Sequence, residues 1–338
     1  MKNYINNVST RLLLLAIVVV STVIIIAACA DKPSNYKPLA IGSPGELLVV
    51  IEDDVWLDES GRFLKTLLDD EYPALPQAEL LFKKTRISYN EFERHFRTYR
   101  NVLLVSIRPK EKYSRVEYRR QEWARNQSCA EVIASSSEAL KEVLSLKWPT
   151  IKGYFFNADI KDMAKSYVKE PQPEVLTHIQ KLYPFSLYLP EGFQLKKTEG
   201  QFSWIDSHRM GGQLGIMVYR CSLDSLDEVN AHSLLNFRND VLRRQVPGDV
   251  KGSFMSTEEL FPVAVKKTKF AERQWTELRG LWKVQGDFMG GPFIDYFYED
   301  KANNELLMLS GYVYAPAKPR KAIYMREIEA VLKTFEVN

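Results

Sequence analysis

The hydrophobic positions of the chain begin with one long apolar run, residues 12–29, which two basic residues precede. A basic start, an apolar stretch and small residues at its end are the layout of a secretory signal. The run ends in Ile26-Ala27-Ala28-Cys29, which fits a bacterial lipobox. We therefore predict a lipoprotein signal peptide over 1–28, with diacylglyceryl and N-acyl chains of the palmitate type on Cys29 as a membrane anchor.

Two alternatives stay open for this run. An uncleaved transmembrane anchor also fits, because about 20 apolar residues span a bilayer, and so does cleavage by ordinary signal peptidase. All three place the bulk of the chain outside the cytoplasm, in the cell envelope. The lipid anchor makes the membrane a predicted partner, with the outer membrane favoured over the inner. Residues 29–43 are polar and punctuated by proline, which predicts a tether.

Strand and helix patterns alternate in the next part of the chain. Short apolar runs predict strands, and apolar residues at 3.6-residue spacing predict helices between them. This alternation predicts an N-terminal α/β domain over 44–168. The predicted elements are strand 46–51, helix 60–70, strand 79–87, a short helix after Ser88, strand 101–107, strand 129–134 and a helix after the capping sequence Ser135–Glu138.

The pattern changes after a polar stretch at 157–174 that ends in the proline-containing residues 169–174, and we place a domain boundary there. Residues 175–338 hold several strand patterns rich in aromatic residues, with helix patterns at 233–244 and 319–335. This predicts a C-terminal domain with an antiparallel sheet and packed helices. The fold class is therefore α+β, built from two α/β-type domains.

Composition and charge favour a folded protein that binds neither nucleic acid nor metal. The chain has 338 residues, of which 45% are hydrophobic, so a packed core is expected. A formal net charge of +3 gives no basic surface of the kind that nucleic acid requires. The four histidines form no HxH or HxxxH pair and no CxxC occurs, so we predict no metal and no cofactor. Cys129 and Cys221 either form a disulfide or remain two independent thiols.

Seven short motifs, in their order along the chain, resemble the Gram-negative lipoproteins called domain of unknown function 4837 (DUF4837). The resemblance extends over nearly all of the predicted mature chain, with Leu80 standing where the family pattern has proline. It implies an envelope lipoprotein and no assigned activity. The second half also faintly resembles the PsbP/Mog1-like fold. The motifs are Pro44–Val50, Leu75–Glu79, Tyr99–Asn101, Trp123–Gln127, Gly280–Trp282, Phe288–Phe293 and Gly311–Pro316.

The loop Phe288-Met-Gly-Gly-Pro-Phe293 is the strongest candidate for a binding site. Its glycines allow close backbone approach, and an arginine and a tryptophan lie one strand earlier. We predict that these residues grip a ligand or a partner peptide; the alternative is a tight hairpin turn whose aromatic residues serve the core. The candidate residues are Arg279, Trp282, Gly290, Gly291 and Pro292.

Two further patterns are weaker. Asp206-Ser207-His208 contains the residue types of a catalytic triad, but adjacent residues seldom form one and no GxSxG is present. Lys318, Arg320 and Lys321 start the last helix, where cations oppose the helix dipole, so they mark either an anion contact or a solvated loop.

No catalytic residue is predicted. We predict a non-enzymatic module that binds an unknown envelope protein or ligand; the alternative is an envelope hydrolase or transferase that acts on glycan or lipid through dispersed carboxylates.

Overall fold

The computed structural model describes residues 36–209, 211–316 and 320–338, so the predicted signal peptide, Cys29 and Pro319 lie outside the described residues. Its first half alternates strands and helices as the hydrophobic pattern predicts. The elements are β1 (Glu46–Ile51), α1 (Asp53–Leu57), α2 (Glu59–Leu68), β2 (Lys83–Ile87), α3 (Arg94–Arg97), β3 (Asn101–Ile107), β4 (Arg115–Arg120), β5 (Ser128–Ala134) and α4 (Ser137–Lys169).

These strands form a five-stranded sheet in the order β2-β1-β3-β5-β4. All neighbours are parallel except the edge strand β4, which is antiparallel to β5. Local signals set the helix starts: Asp58 accepts a 2.8 Å hydrogen bond from Gly61 N at the start of α2, and Ser136 accepts one from Ala139 N at the start of α4. The polar stretch from 157 to Lys169 is the last part of α4.

The second half is built mainly from antiparallel strands. Its elements are α5 (Pro173–Leu182), β6 (Phe185–Ser186), β7 (Gln194–Glu199), β8 (Phe202–Arg209), β9 (Gly212–Ser222), α6 (Ala231–Gln245), β10 (Phe254–Thr257), β11 (Ala264–Phe270), β12 (Arg273–Gln285), β13 (Gly290–Asp300), β14 (Glu305–Tyr314), α7 (Lys321–Leu332) and β15 (Glu336–Val337).

Eight of these strands form one curled sheet. Seven lie in the order β10-β12-β13-β14-β9-β8-β7, and β11 also pairs with β12. The two-residue strands β6 and β15 pair with each other and tie the end of the chain to the start of this half. The protein is therefore α+β, as predicted, with seven helices among the described residues. None of the described helices combines the length and hydropathy of a membrane span.

The main hydrophobic core runs across the predicted domain boundary at 169–174. One cluster joins Val49 and Leu103 of the first sheet, Trp148 and Phe155 of α4, and Ile328 of α7. Smaller clusters cover the outer face of each sheet. Leu39–Asn338 is accordingly one compact unit. The division into two domains stays a prediction.

The predicted tether, 29–43, is shorter than the sequence indicates. Leu39 and Ile41 form bridges with Arg125 and Tyr99 at the first sheet. Ala40 N donates a 2.9 Å hydrogen bond to the carbonyl of Arg125, and the Ala40 side chain is buried. Backbone hydrogen bonds to the sheet fix this segment, so residues 39–41 belong to the folded unit.

Candidate functional site

An open groove of about 850 Å³ lies where α4, the β11–β12 turn and the end of the chain meet. α4 supplies one wall. Residues 269–272 and 333–337 supply the other side. Its volume falls within the range of ordinary ligand sites.

The floor and walls of the groove are largely apolar. Phe335 is buried, and Phe270, which is half-buried, stacks on Trp275 with ring centroids 4.5 Å apart. Trp275 also packs edge-on against Phe335 at 5.1 Å. These aromatic contacts hold the groove floor against the core, so it presents a preformed apolar surface. The apolar side chains that line it are Ile160, Ala164, Val168, Phe270, Ala271, Phe335 and Val337.

Lysines dominate the polar part of the groove, and we call it the lysine-rimmed groove. Four lysines and two glutamates line it. Lys161 and Lys165 lie one turn apart on α4, and Lys269 ends β11; all three are exposed and make no ion pair with the described residues. Lys333 differs, since its Nζ is 2.8 Å from Oε1 of Glu329. Three lysines without an ion pair therefore lie beside an apolar floor.

The β11–β12 turn at the groove has an unusual backbone. Ala271 and Glu272 adopt φ of 47° and 59°, and Phe270 pairs directly with Arg273. Two consecutive residues in the left-handed region make a type I′ hairpin turn, for which Asn-Gly is the usual sequence. The left-handed conformation costs non-glycine residues on the order of 1 kcal/mol each. The two residues with this unfavourable backbone conformation line the groove.

A buried network of charged side chains lies next to the groove and holds the Lys333 side chain in place through Glu329. Arg279 Nε is 2.5 Å from Glu277 Oε1, and Arg279 Nη2 is 2.6 Å from Glu329 Oε2. Burial acts to raise the pKa of Glu329, but the cations of Arg279 and Lys333 outweigh it and hold that pKa well below its usual range. Glu329 is therefore ionised and anchors two cations at once.

Arg279 and Trp282 do not form the binding site that we predicted from the sequence. The two residues are 5% and 2% exposed, and they lie on opposite faces of β12. Arg279 faces α7 through Glu329, whereas Trp282 belongs to the core cluster on the α6 side. Side chains alternate between faces along a strand, so two residues three positions apart cannot converge on one ligand.

Gly290, Gly291 and Pro292 form the start of β13 in a hairpin, which is the alternative left open from the sequence. Trp282 Nε1 donates a 3.2 Å hydrogen bond to the carbonyl of Val313. A Cβ at Gly291 would lie 2.1 Å from that carbonyl oxygen. The close approach that the glycine permits is thus made by the protein's own strands.

Cys129 and Cys221 are two free thiols, so the disulfide considered from the sequence is absent. Cys129 lies in β5 of the first sheet and Cys221 in β9 of the second. Burial raises the pKa of the Cys129 thiol to about 12. Cys129 is therefore a buried, unreactive thiol.

Asp206, Ser207 and His208 do not assemble into a triad. All three lie on β8, so Ser207 points to the face opposite His208. His208 Nε2 instead lies 3.3 Å from Asp206 Oδ2. Within the described residues, no group of three or more His, Cys, Asp or Glu side chains has the arrangement of a metal site.

At the start of the last helix, the sequence left open an anion contact or a solvated loop, and the structure places one of the protein's own carboxylates there. Lys321 N and Ala322 N donate hydrogen bonds of 2.7 and 2.9 Å to the two carboxylate oxygens of Glu79. Glu79 therefore caps α7 and offsets the basic residues there. Lys318 lies outside the described residues.

Two family models match the chain. Residues 172–334 match the domain of unknown function DUF4837, which confirms the predicted resemblance for the second half. Residues 40–168 match a different model, the domain of unknown function DUF8532, so the motifs of the first half fall outside the DUF4837 match. No curated protein sequence matches the chain.

Three solved structures are distantly similar. A protein of Bacteroides thetaiotaomicron has 12% identity and a TM-score of 0.27, over 46% of this chain and 45% of its own length. LpqN of Mycobacterium tuberculosis, described as involved in cell envelope biogenesis, has 10% identity and a TM-score of 0.28, over 45% and 82%. Human StAR-related lipid transfer protein 5 has 9% identity and a TM-score of 0.24, over 51% and 96%. Such scores carry no argument about function.

Proposed function

We propose that this protein is a non-enzymatic binding protein of the cell envelope that is anchored by lipid at Cys29. Its ligand is an anionic amphiphile, held in the lysine-rimmed groove. The observation that carries this proposal is the set of three unpaired lysines, Lys161, Lys165 and Lys269, beside an apolar floor.

Charge and hydrophobicity point to the same ligand class. A purely polar anion leaves the apolar floor without a partner, and an uncharged hydrocarbon leaves the three cations unused. Apolar contact contributes about 25 cal/mol for each Å² buried. A cation beside an anionic lipid contributes about 1 kcal/mol. A hydrocarbon chain with an anionic head group contacts both the apolar floor and the lysines.

The first test compares head groups on one chain. Residues 36–338, checked for folding by circular dichroism, are titrated below the micelle concentration with dodecyl phosphate, dodecyl maltoside and dodecyltrimethylammonium. Trp275 reports binding by fluorescence because it contacts Phe270 and Phe335 of the groove. We expect dodecyl phosphate to bind at least about tenfold more tightly than the other two. The variant Trp275→Phe separates this signal from the remaining tryptophans.

Charge reversal locates the site. The double variant Lys161→Glu/Lys165→Glu should weaken dodecyl phosphate binding by about tenfold or more. Lys110→Glu/Lys251→Glu makes the same change of net charge at exposed positions elsewhere and should bind like the wild type. Equal affinity for all three head groups, or equal loss in both double variants, contradicts the proposal.

The anchor has a separate test in cells. Cys29→Ser should abolish incorporation of labelled palmitate. Ala30→Ser, which leaves the lipidated residue unchanged, serves as the control. Palmitate incorporation into Cys29→Ser equal to that of the wild type, or none in either protein, contradicts the lipid anchor without bearing on the groove.

A further inference from the structure

A second, smaller cavity of about 330 Å³ lies at the other end of α7 from the lysine-rimmed groove. Residues 43–46, residues 78–83 and the first turns of α7 surround it. Its charged side chains are Glu46, Glu79, Lys83, Arg320 and Arg326.

Arg326 is the unusual residue of this cavity. It is 1% exposed, and it makes no ion pair with a carboxylate of the described residues. Its Nη2 donates to the carbonyl of Leu81, whereas its Nη1 is buried without a hydrogen-bond partner. Asp159 and Glu329 act on this cation electrostatically from beyond ion-pair distance, but no anion bonds to it directly. Burying a charge without a hydrogen-bonded counter-ion costs free energy, so an anion bound directly to Arg326 would stabilise the arrangement.

The protein's own carboxylates nearby are already engaged. Asp159 accepts hydrogen bonds from Gly45 N at 2.7 Å and from Asn101 Nδ2 at 3.1 Å. Both oxygens of Glu79 cap α7. Glu46 accepts from Ser43 N and lies 3.6 Å from Lys83 Nζ. None of them is within ion-pair distance of Arg326.

Aromatic rings, rather than carboxylates, pack against the guanidinium. The rings of Tyr72, Phe82 and Phe156 lie 4.8–5.4 Å from its central carbon. Cation–π contacts occupy the faces of the group, while hydrogen bonds to an anion lie in its plane. Gly45 has φ of +82°, and a Cβ there would lie only 2.9 Å from Arg326 Nε. Glycine thus lets the backbone at residue 45 approach the guanidinium closely.

We propose that this cavity binds a small anion through a carboxylate or phosphate group that pairs with the Arg326 guanidinium. Lys83 and Arg320, both exposed at the cavity, attract the anion to it. This site is separate from the lysine-rimmed groove, and neither proposal depends on the other.

Thermal unfolding of the full-length chain in dodecyl maltoside tests the proposal, with inorganic phosphate and acetate as probes. Potassium chloride at matched ionic strength is the reference. A ligand that binds only the folded state raises Tm in proportion to ln(1 + [L]/Kd). We expect phosphate or acetate at tens of millimolar to raise the Tm of the wild type by a few degrees above the chloride reference, and the larger shift identifies the head group.

Arg326→Met, which keeps the side-chain length and removes the charge, should lose this shift. If Arg326→Met does not fold, Lys83→Glu/Arg320→Glu provides the test, since both side chains are exposed. This double variant should need severalfold more anion for the same shift, and Lys110→Glu/Lys251→Glu should not. No shift in the wild type, or a shift that every variant retains, overturns the proposal.

Discussion

At the scale of single residues, close contacts within the protein explain positions that look functional in the sequence. Gly291 stands where a Cβ would meet the Val313 carbonyl, and Trp282 donates its indole proton to that same oxygen. The glycine therefore serves strand packing. The spacing of Arg279 and Trp282 could itself have predicted opposite faces, because three positions along a strand change the face.

We expect Gly291→Ala to lower the free energy of unfolding by roughly 1–3 kcal/mol, because the added methyl group forces strands apart. Gly153→Ala is the matched control. Gly153 lies in α4 with nothing nearer than 4.0 Å to its added Cβ, so alanine should stabilise by roughly 0.5–1 kcal/mol. Urea denaturation measures both. A Gly291→Ala protein as stable as the wild type would contradict the packing account.

At the scale of elements, strong periodic patterns were predictable and unusual turns were not. The buried strands β1, β3 and β5 follow directly from their apolar runs. The β11–β12 hairpin escapes prediction because Ala271-Glu272 lacks the asparagine or glycine that signals a type I′ turn. The groove escapes it too, because residues 161, 269 and 333 meet only in the folded chain.

Replacing Ala271-Glu272 by Asn-Gly should raise the free energy of unfolding by roughly 1 kcal/mol, because both residues tolerate positive φ. Glu272→Val should have the opposite sign, since a β-branched residue is disfavoured in the left-handed region. Thermal unfolding of the two variants distinguishes them. Stabilisation by valine would show that the turn is not held in this conformation.

At the scale of the whole molecule, α7 connects the two halves of the compact unit. Glu79 from the first half caps its start, and Arg279 from β12 pairs with its Glu329. Neither link follows from a local pattern. Each joins residues far apart in the sequence, which explains why the sequence indicates two domains while the core runs across the boundary.

The Glu329 network predicts a dependence of stability on pH. Because the folded-state pKa of Glu329 lies below its ordinary value of 4.5, its stabilising effect is present above that value and is lost as pH falls through the lower one. Glu329→Gln should cost roughly 3–5 kcal/mol at pH 7, since it breaks one of the two buried ion pairs of Arg279 and the pair with Lys333. The difference from the wild type should shrink below about pH 4.5.

Urea denaturation of both proteins at several pH values between 7 and 3 measures this effect. Glu272→Gln, an exposed glutamate at the groove, is the control and should differ from the wild type by at most about 0.5 kcal/mol. A difference between Glu329→Gln and the wild type that stays constant down to pH 3 would contradict the ionised state of Glu329.

The most direct measurement for the central claim is photo-crosslinking with an alkyl phosphate that carries a diazirine on its chain, mapped by mass spectrometry. The account predicts labelled peptides from residues 157–168, 269–272 and 333–337, which together line the lysine-rimmed groove. It also predicts much weaker labelling of Lys161→Glu/Lys165→Glu. Labelling elsewhere on the protein, or labelling of the groove that charge reversal leaves unchanged, would contradict it.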